Sequence, residues 1–147
     1  MATIHKSIDI DAPAERVFAL LTDPKRLPEY APGLVSVEDI RQTEQHLGDS
    51  FRGIYSTLRL HFPITFTVTE YEPPTKHTTR FEGGMKGTWT WRLSPSGKST
   101  HLTMAMEYEM AGGALGKAMN AVLVERMNEK NAERLLENLK LVSEATP

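Results

Sequence analysis

The 147 residues suffice for one domain, and a domain of this size buries roughly 68–70% of its unfolded surface. Charged residues make up 24% and hydrophobic residues 39%, with a net charge of −2, so the composition is that of an ordinary globular protein with no global attraction for a phosphate backbone. There is no cysteine, which excludes disulfides, thiolate nucleophiles and cysteine metal ligands together.

No apolar run is long enough for a membrane span, and Met1 to Asp11 lacks the apolar stretch of a signal peptide. The expectation is a cytoplasmic protein with no stable membrane insertion. No internal repeat or low-complexity segment is present.

Thr3 to Ile10 alternates, with Ile4, Ile8 and Ile10 on one face, and predicts a first strand. Asp11-Ala12-Pro13 opens a helix, because proline fits the first turn, where its missing donor costs nothing. Val17, Phe18, Leu20 and Leu21 give that helix its apolar face. Thr22-Asp23-Pro24 breaks and restarts the chain, and Asp23 is placed to cap a second short helix ending near Leu27. Pro28, Pro32 and Gly33 make the next stretch a loop that contains Tyr30.

Strand signals follow. Leu34 to Thr43 alternates, and Gln45 to Gly48 is a turn. Ser50 to Leu60 alternates with Ile54, Leu58 and Leu60 on one side. Pro63 comes early in the next run, which argues for a strand start or an edge. Ile64, Phe66 and Val68 then oppose Thr65, Thr67 and Thr69, before the turn Glu72-Pro73-Pro74-Thr75. Thr78 to Glu82 is a short strand, Gly83-Gly84 a turn, and Gly87 to Leu93 sets Trp89, Trp91 and Leu93 together. After a hairpin loop at Ser94 to Lys98, Thr100 to Met110 puts Leu102, Met104, Met106, Tyr108 and Met110 on one face. One long helix, from about Ala114 to Val142, ends the chain, with an apolar stripe that includes Met119, Leu123, Met127, Leu135 and Leu139. Its middle is polar, and Arg126 and Asn131 lie closest to the stripe.

Strands segregated from helices predict an α+β fold with an antiparallel sheet of about seven strands and two short helices after the first strand. A helix with its side chains is roughly 10–12 Å across. Seven strands about 4.8 Å apart span close to three times that width. If the sheet wraps around the final helix, the helix alone cannot fill the concave side, and the leftover space suits a small apolar ligand.

Most chemical motifs weigh against a specific reaction. Gly112-Gly113-Ala114-Leu115-Gly116-Lys117 sits between a strand and a helix, but the P-loop positions for the first glycine and the magnesium-binding hydroxyl hold Ala111 and Ala118. The five histidines, His5, His46, His61, His77 and His101, form no helical pair, so no metal site is expected and each is placed at the surface or flanking a strand. Trp89, Trp91, Met104, Met106 and Tyr108 form the strongest constellation. It reads as core, as the wall of an aromatic, adaptable pocket, or as both along its length. Tyr30, Tyr55, Tyr71, Arg59, Arg80 and Arg92 are the polar groups considered for orienting a ligand. Arg59 and Arg92 alternate onto the outer face. Tyr30, with its ordinary pKa near 10, suits a ligand contact better than a base.

Several stretches together resemble the START-like superfamily with the helix-grip fold, and within it the polyketide cyclase/dehydrase group and its lipid-transport relatives. They are Ile8-Asp9-Ile10-Asp11-Ala12-Pro13-Ala14-Glu15-Arg16-Val17-Phe18, Leu20-Leu21-Thr22-Asp23-Pro24, Leu27-Pro28-Glu29-Tyr30-Ala31-Pro32-Gly33, Thr69-Glu70-Tyr71-Glu72-Pro73-Pro74 and Asn131-Ala132-Glu133-Arg134-Leu135-Leu136-Glu137-Asn138-Leu139-Lys140. The resemblance covers the whole chain and specifies a fold, not a reaction. It implies a curved sheet gripping the C-terminal helix around a cavity for a hydrophobic, lipid-like or planar ligand. The residues expected to line it are Tyr30 at the entrance, Phe66, Phe81, Trp89 and Trp91 from the middle strands, and Met104, Met106 and Tyr108 from the last one. The helix would add Met119, Leu123, Arg126 and Met127.

No cofactor, metal or nucleic acid is implied, and a homodimer is left open. A carrier, a polyketide aromatase/cyclase and a non-catalytic interaction module all remain compatible with these residues. A cyclase needs an ionisable group deep in the cavity; a carrier does not.

Overall fold

Period-two alternation builds seven strands in the computed structural model, which describes residues 2–57, 60–83, 85–110 and 114–145, the side chains of 57, 60, 110 and 114–127 excepted. The strands are β1 (Ala2–Ile10), β2 (Leu34–Arg41), β3 (Ser50–Thr57), β4 (Leu60–Glu72), β5 (Lys76–Gly83), β6 (Met85–Ser96) and β7 (Ser99–Met110). They form one antiparallel sheet in the order β1-β7-β6-β5-β4-β3-β2. From β2 onward the sheet is a meander, and β1 pairs with β7 at the far edge. The chain therefore leaves β1 at one edge and enters β2 at the other. The segment that spans this gap is α1 (Ala14–Thr22) and a short 3-10 helix (Pro24–Glu29). The final helix, α2 (Ala114–Ala145), packs on β1.

Local chemistry explains the helix ends. Pro13 occupies the N-cap of α1, where its carbonyl accepts from the amides of Arg16 and Val17. Val17, Phe18, Leu20 and Leu21 are buried on one side. The Asp23 side chain accepts from the Lys25 amide at 3.1 Å and starts the 3-10 helix, which runs two residues past Leu27 to Glu29.

The alternation of β4, β6 and β7 is realised as read. Ile64, Phe66 and Val68 are buried, as are Trp89, Trp91 and Leu93, and Leu102, Met104 and Tyr108. In β3 the buried face is the other one. Phe51 and Gly53 are buried, whereas Ile54 is only partly covered. Gly53 permits this. A Cβ there would stand 3.0 Å from Leu34 and 3.4 Å from Phe66, so the absent side chain lets both neighbours close over the strand.

Pro63 corrects a second expectation, because it lies inside β4, opposite Ile54 of β3. The β4–β5 ladder begins one residue later, at Ile64 and Gly83, so proline's missing donor falls beside the end of that ladder.

Side chains then tie the C-terminal half of α2 to the rest. Leu135, Leu136 and Leu139 are buried against the sheet. Asn138 donates to the Tyr30 carbonyl at 3.1 Å, Lys140 donates to the Asp9 carbonyl at 3.0 Å, and Lys6 pairs with Glu133 at 3.2 Å. Thr100, fully buried, donates to the Ala12 carbonyl at 2.8 Å and pins the start of α1 to β7. Among the described residues, no helix is long and apolar enough to cross a membrane.

Candidate ligand-binding site

The inward residues of the middle strands do not all reach α2. Between them lies a cavity of about 560 Å³. Phe66, Phe81, Trp89, Met104 and Met106 form its sheet side, Ala132 and Leu135 its helix side, and the loop residues Ala31 to Gly33 a third wall. The volume is within the usual range of small-molecule sites.

The expected lining residues separate into four groups. Phe66, Phe81, Trp89, Met104 and Met106 meet in the cavity. Trp91 stacks obliquely on Trp89, with ring centroids 5.3 Å apart, and lines a different space. Tyr30 and Tyr108, each 1% exposed, line neither space. The side chains of Met119, Leu123, Arg126 and Met127 lie outside the described residues.

Tyr30 is not at the rim. Its hydroxyl donates to the Leu20 carbonyl at 3.5 Å, and burial pushes its pKa far above the ordinary tyrosine value. It holds the loop in place while its three successors face the ligand space. Tyr108 stands opposite Gly87, and its buried hydroxyl has no partner among the described residues.

Sequence reasoning left out Ile4, Phe62, Met85 and Asn128, all of which line the cavity. Ile4 was legible as an inward residue of β1. Met85 and Phe62 sit close to strand starts, where alternation carries little signal. Tyr55, weighed only as a polar candidate, also lines it. Burial raises the pKa of Tyr55, so its hydroxyl stays protonated and can donate a hydrogen bond but not act as a base.

Behind the wall made by Phe66 and Trp89 lies a second space, a crevice with a void of about 70 Å³. It contains His46, Asp49, Tyr71 and His77. Here the placement of every histidine at the surface or a strand flank is corrected. His77 is 6% exposed and faces Phe18 edge-on, with centroids 6.2 Å apart. It is inward because it pairs with Trp91 and alternates with Thr79 and Phe81. Burial lowers its pKa to about 4, and its Nδ1 has no partner among the described residues. Nearby, burial alone would raise the Asp49 carboxyl. Hydrogen bonds from the Thr43 amide, from His46 Nδ1 at 2.9 Å and from the Thr43 hydroxyl at 3.0 Å outweigh it and hold the group below the usual carboxylate range. Among the described residues, no group of three or more histidine and carboxylate side chains could hold a metal ion.

The family model for polyketide cyclase/dehydrase and lipid transport proteins matches residues 1–144. The chain belongs to this family.

Solved structures agree on the fold. The Zhui aromatase/cyclase from Streptomyces sp. R1128 superposes with a TM-score of 0.84 at 15% identity, over 97% of this chain and 93% of that one. A START superfamily protein from Mycobacterium smegmatis gives 0.82 at 16% identity, over 99% of both chains. The protein TTHA0849 from Thermus thermophilus gives 0.81 at 22% identity, over 95% of this chain and 94% of that one. This member of the polyketide cyclase/dehydrase and lipid transport family thus has the START-like, helix-grip fold. No curated protein matches the chain.

Proposed function

We propose that this protein binds a small hydrophobic ligand, lipid-like or planar and aromatic, in the cavity between the sheet and α2. One observation carries the reading: about 560 Å³ of space lined mainly by apolar side chains, Phe, Met and Ile foremost. Burying about 300 Å² of apolar ligand surface there is worth roughly 7 kcal/mol before entropy costs. Trp89 can stack on a planar ring, and Met104 and Met106 can adapt to its outline.

The experiment is native mass spectrometry of freshly purified protein, together with titration of apolar probes into wild type and Ala132→Trp. Ala132 is buried on α2 and lines the cavity. A tryptophan there is expected to occupy the void and lower probe affinity at least tenfold while the fold persists. Unchanged affinity in that variant would remove the cavity as the binding site.

The cyclase reading has one specific support. His77 is a deeply buried, neutral imidazole in the crevice that shares Phe66 and Trp89 with the main cavity. Such a base could act only on a substrate that passes the aromatic wall. Turnover of a poly-β-ketone mimic that is lost in His77→Phe while probe binding persists would favour it. The exposed large apolar side chains among the described residues, Val35, Leu47 and Leu141, lie on β2, in the loop after it and on α2, which gives the interaction-module reading less support.

A further inference from the structure

The polar groups of the main cavity are unevenly placed. Strands β4 to β7 contribute aliphatic, thioether and aromatic side chains to its lining, with the Trp89 indole N–H their one donor. The polar side chains come from α2, as Asn128, Asn131 and Arg134, and from β3, as Tyr55 and Ser56. The three α2 positions are spaced by three residues, so they follow one side of the helix. Ser56 is tied to the loop wall, since its amide donates to the Gly33 carbonyl at 2.8 Å. Asn131 and Arg134 are exposed, so this end is the rim.

Among the described lining residues, the rim carries several donors and one positive charge. Arg134 is the one charged residue among the described residues of the lining. On α2, Glu133 is paired with Lys6 and Lys140 with Glu144, whereas Arg134, like Lys130 and Glu137 one turn to either side, has neither an ion pair nor a hydrogen bond among the described residues. Among the described residues, Asn128 spends an amide donor only on the Met85 thioether at 3.7 Å, a weak acceptor that a better one can replace.

From this arrangement we infer that the ligand is an acidic amphiphile, whose apolar body fills the cavity and whose carboxylate stays at the rim on Arg134. A guanidinium presents a planar fork of donors that matches a carboxylate. Because the rim is wet, the carboxylate keeps part of its hydration and avoids the cost of a buried ion. A cationic head would meet Arg134 with like charge, and a neutral one would leave it unused.

The inference rests on the cavity reading above, and the test separates the two. Decanoate and 1-decanol share an apolar chain and differ in the head, and at pH 7.5 decanoate is ionised. Both are titrated calorimetrically into wild type, Arg134→Gln and Arg134→Glu. Arg134 is exposed and unpaired, so these variants are expected to fold normally. The expected result is that Arg134→Gln weakens decanoate about fivefold, Arg134→Glu weakens it further, and 1-decanol is unchanged in both. Raising the salt should weaken decanoate alone, because an exposed pair is screened. If 1-decanol binds but decanoate is indifferent to both variants, the acidic-head inference falls and the cavity reading stands. If neither probe binds wild type, the cavity reading falls and takes the inference with it.

Discussion

His77 carries its ring where it cannot take up a proton without cost. The folded ring binds a proton only near pH 4, because burial disfavours the charged form, while an unfolded histidine does so near 6.5. Between those values the unfolded chain holds more protons, so stability is full above about pH 6.5 and falls as pH drops toward 4. Wild type is expected to lose about 1–2 kcal/mol on this account between pH 7 and pH 5. His77→Phe should remove that loss. Because Nδ1 has no partner among the described residues, the substitution strands none of them, and at pH 7 its cost is expected to stay under about 1 kcal/mol. Urea midpoints of both proteins at the two pH values check this, and an equal acid loss in the variant would assign it to other groups. The sequence did not mark His77 as buried, because a histidine beside a Pro-Pro turn reads as polar punctuation. Only its register against Trp91 turns it inward. Tyr30 shows the converse. Its loop does border the site, yet its own side chain anchors to Leu20, and Ala31, Pro32 and Gly33 are the residues that face the cavity.

At the scale of elements, the β6–β7 pair and the α2 seam carry the fold. Gly87 faces Tyr108, and a Cβ there would stand 1.9 Å from the Glu107 carbonyl oxygen and 2.8 Å from the Tyr108 Cα. Backbone must therefore move to admit any side chain. Gly87→Ala is expected to cost at least about 2 kcal/mol, measurable as a fall in the denaturation midpoint with activity-independent probes. On α2, Leu139 is fully buried over the sheet. Leu139→Ala should cost about 2–5 kcal/mol, with little effect on probe affinity in the protein that remains folded, because Leu139 is outside the cavity lining. The existence and order of these elements were legible, since period-two runs and one long 3.6-period stripe differ clearly. The inward face of β3 was not. Ile54 looked like the core residue there, but Gly53 and its neighbours Leu34 and Phe66 decide the face, and that contact is between elements.

For the whole molecule, a void of this size makes stability depend on its occupant. A ligand at a hundredfold excess over its dissociation constant should stabilise the folded state by about 2.7 kcal/mol and raise Tm by roughly 5–10 °C. The same probe at the same concentration should raise the Tm of Ala132→Trp by at most about half as much, and thermal scans with and without 1-decanol compare the two. A shift of equal size in both proteins would place binding elsewhere.

The sequence by itself determined the antiparallel strands, the two short helices, the long final helix and the family, because these follow from local periodicity, turn residues and motifs. It also determined that Phe66, Trp89, Met104 and Met106 point the same way from their strands. Tertiary structure alone decided which of these residues meet open space and which meet protein. Trp89 and Trp91 sit on one face of one strand, yet the first lines the main cavity and the second only the crevice behind it. Alternation sets the direction of a side chain, but the matter opposite it is supplied by chain far away in sequence.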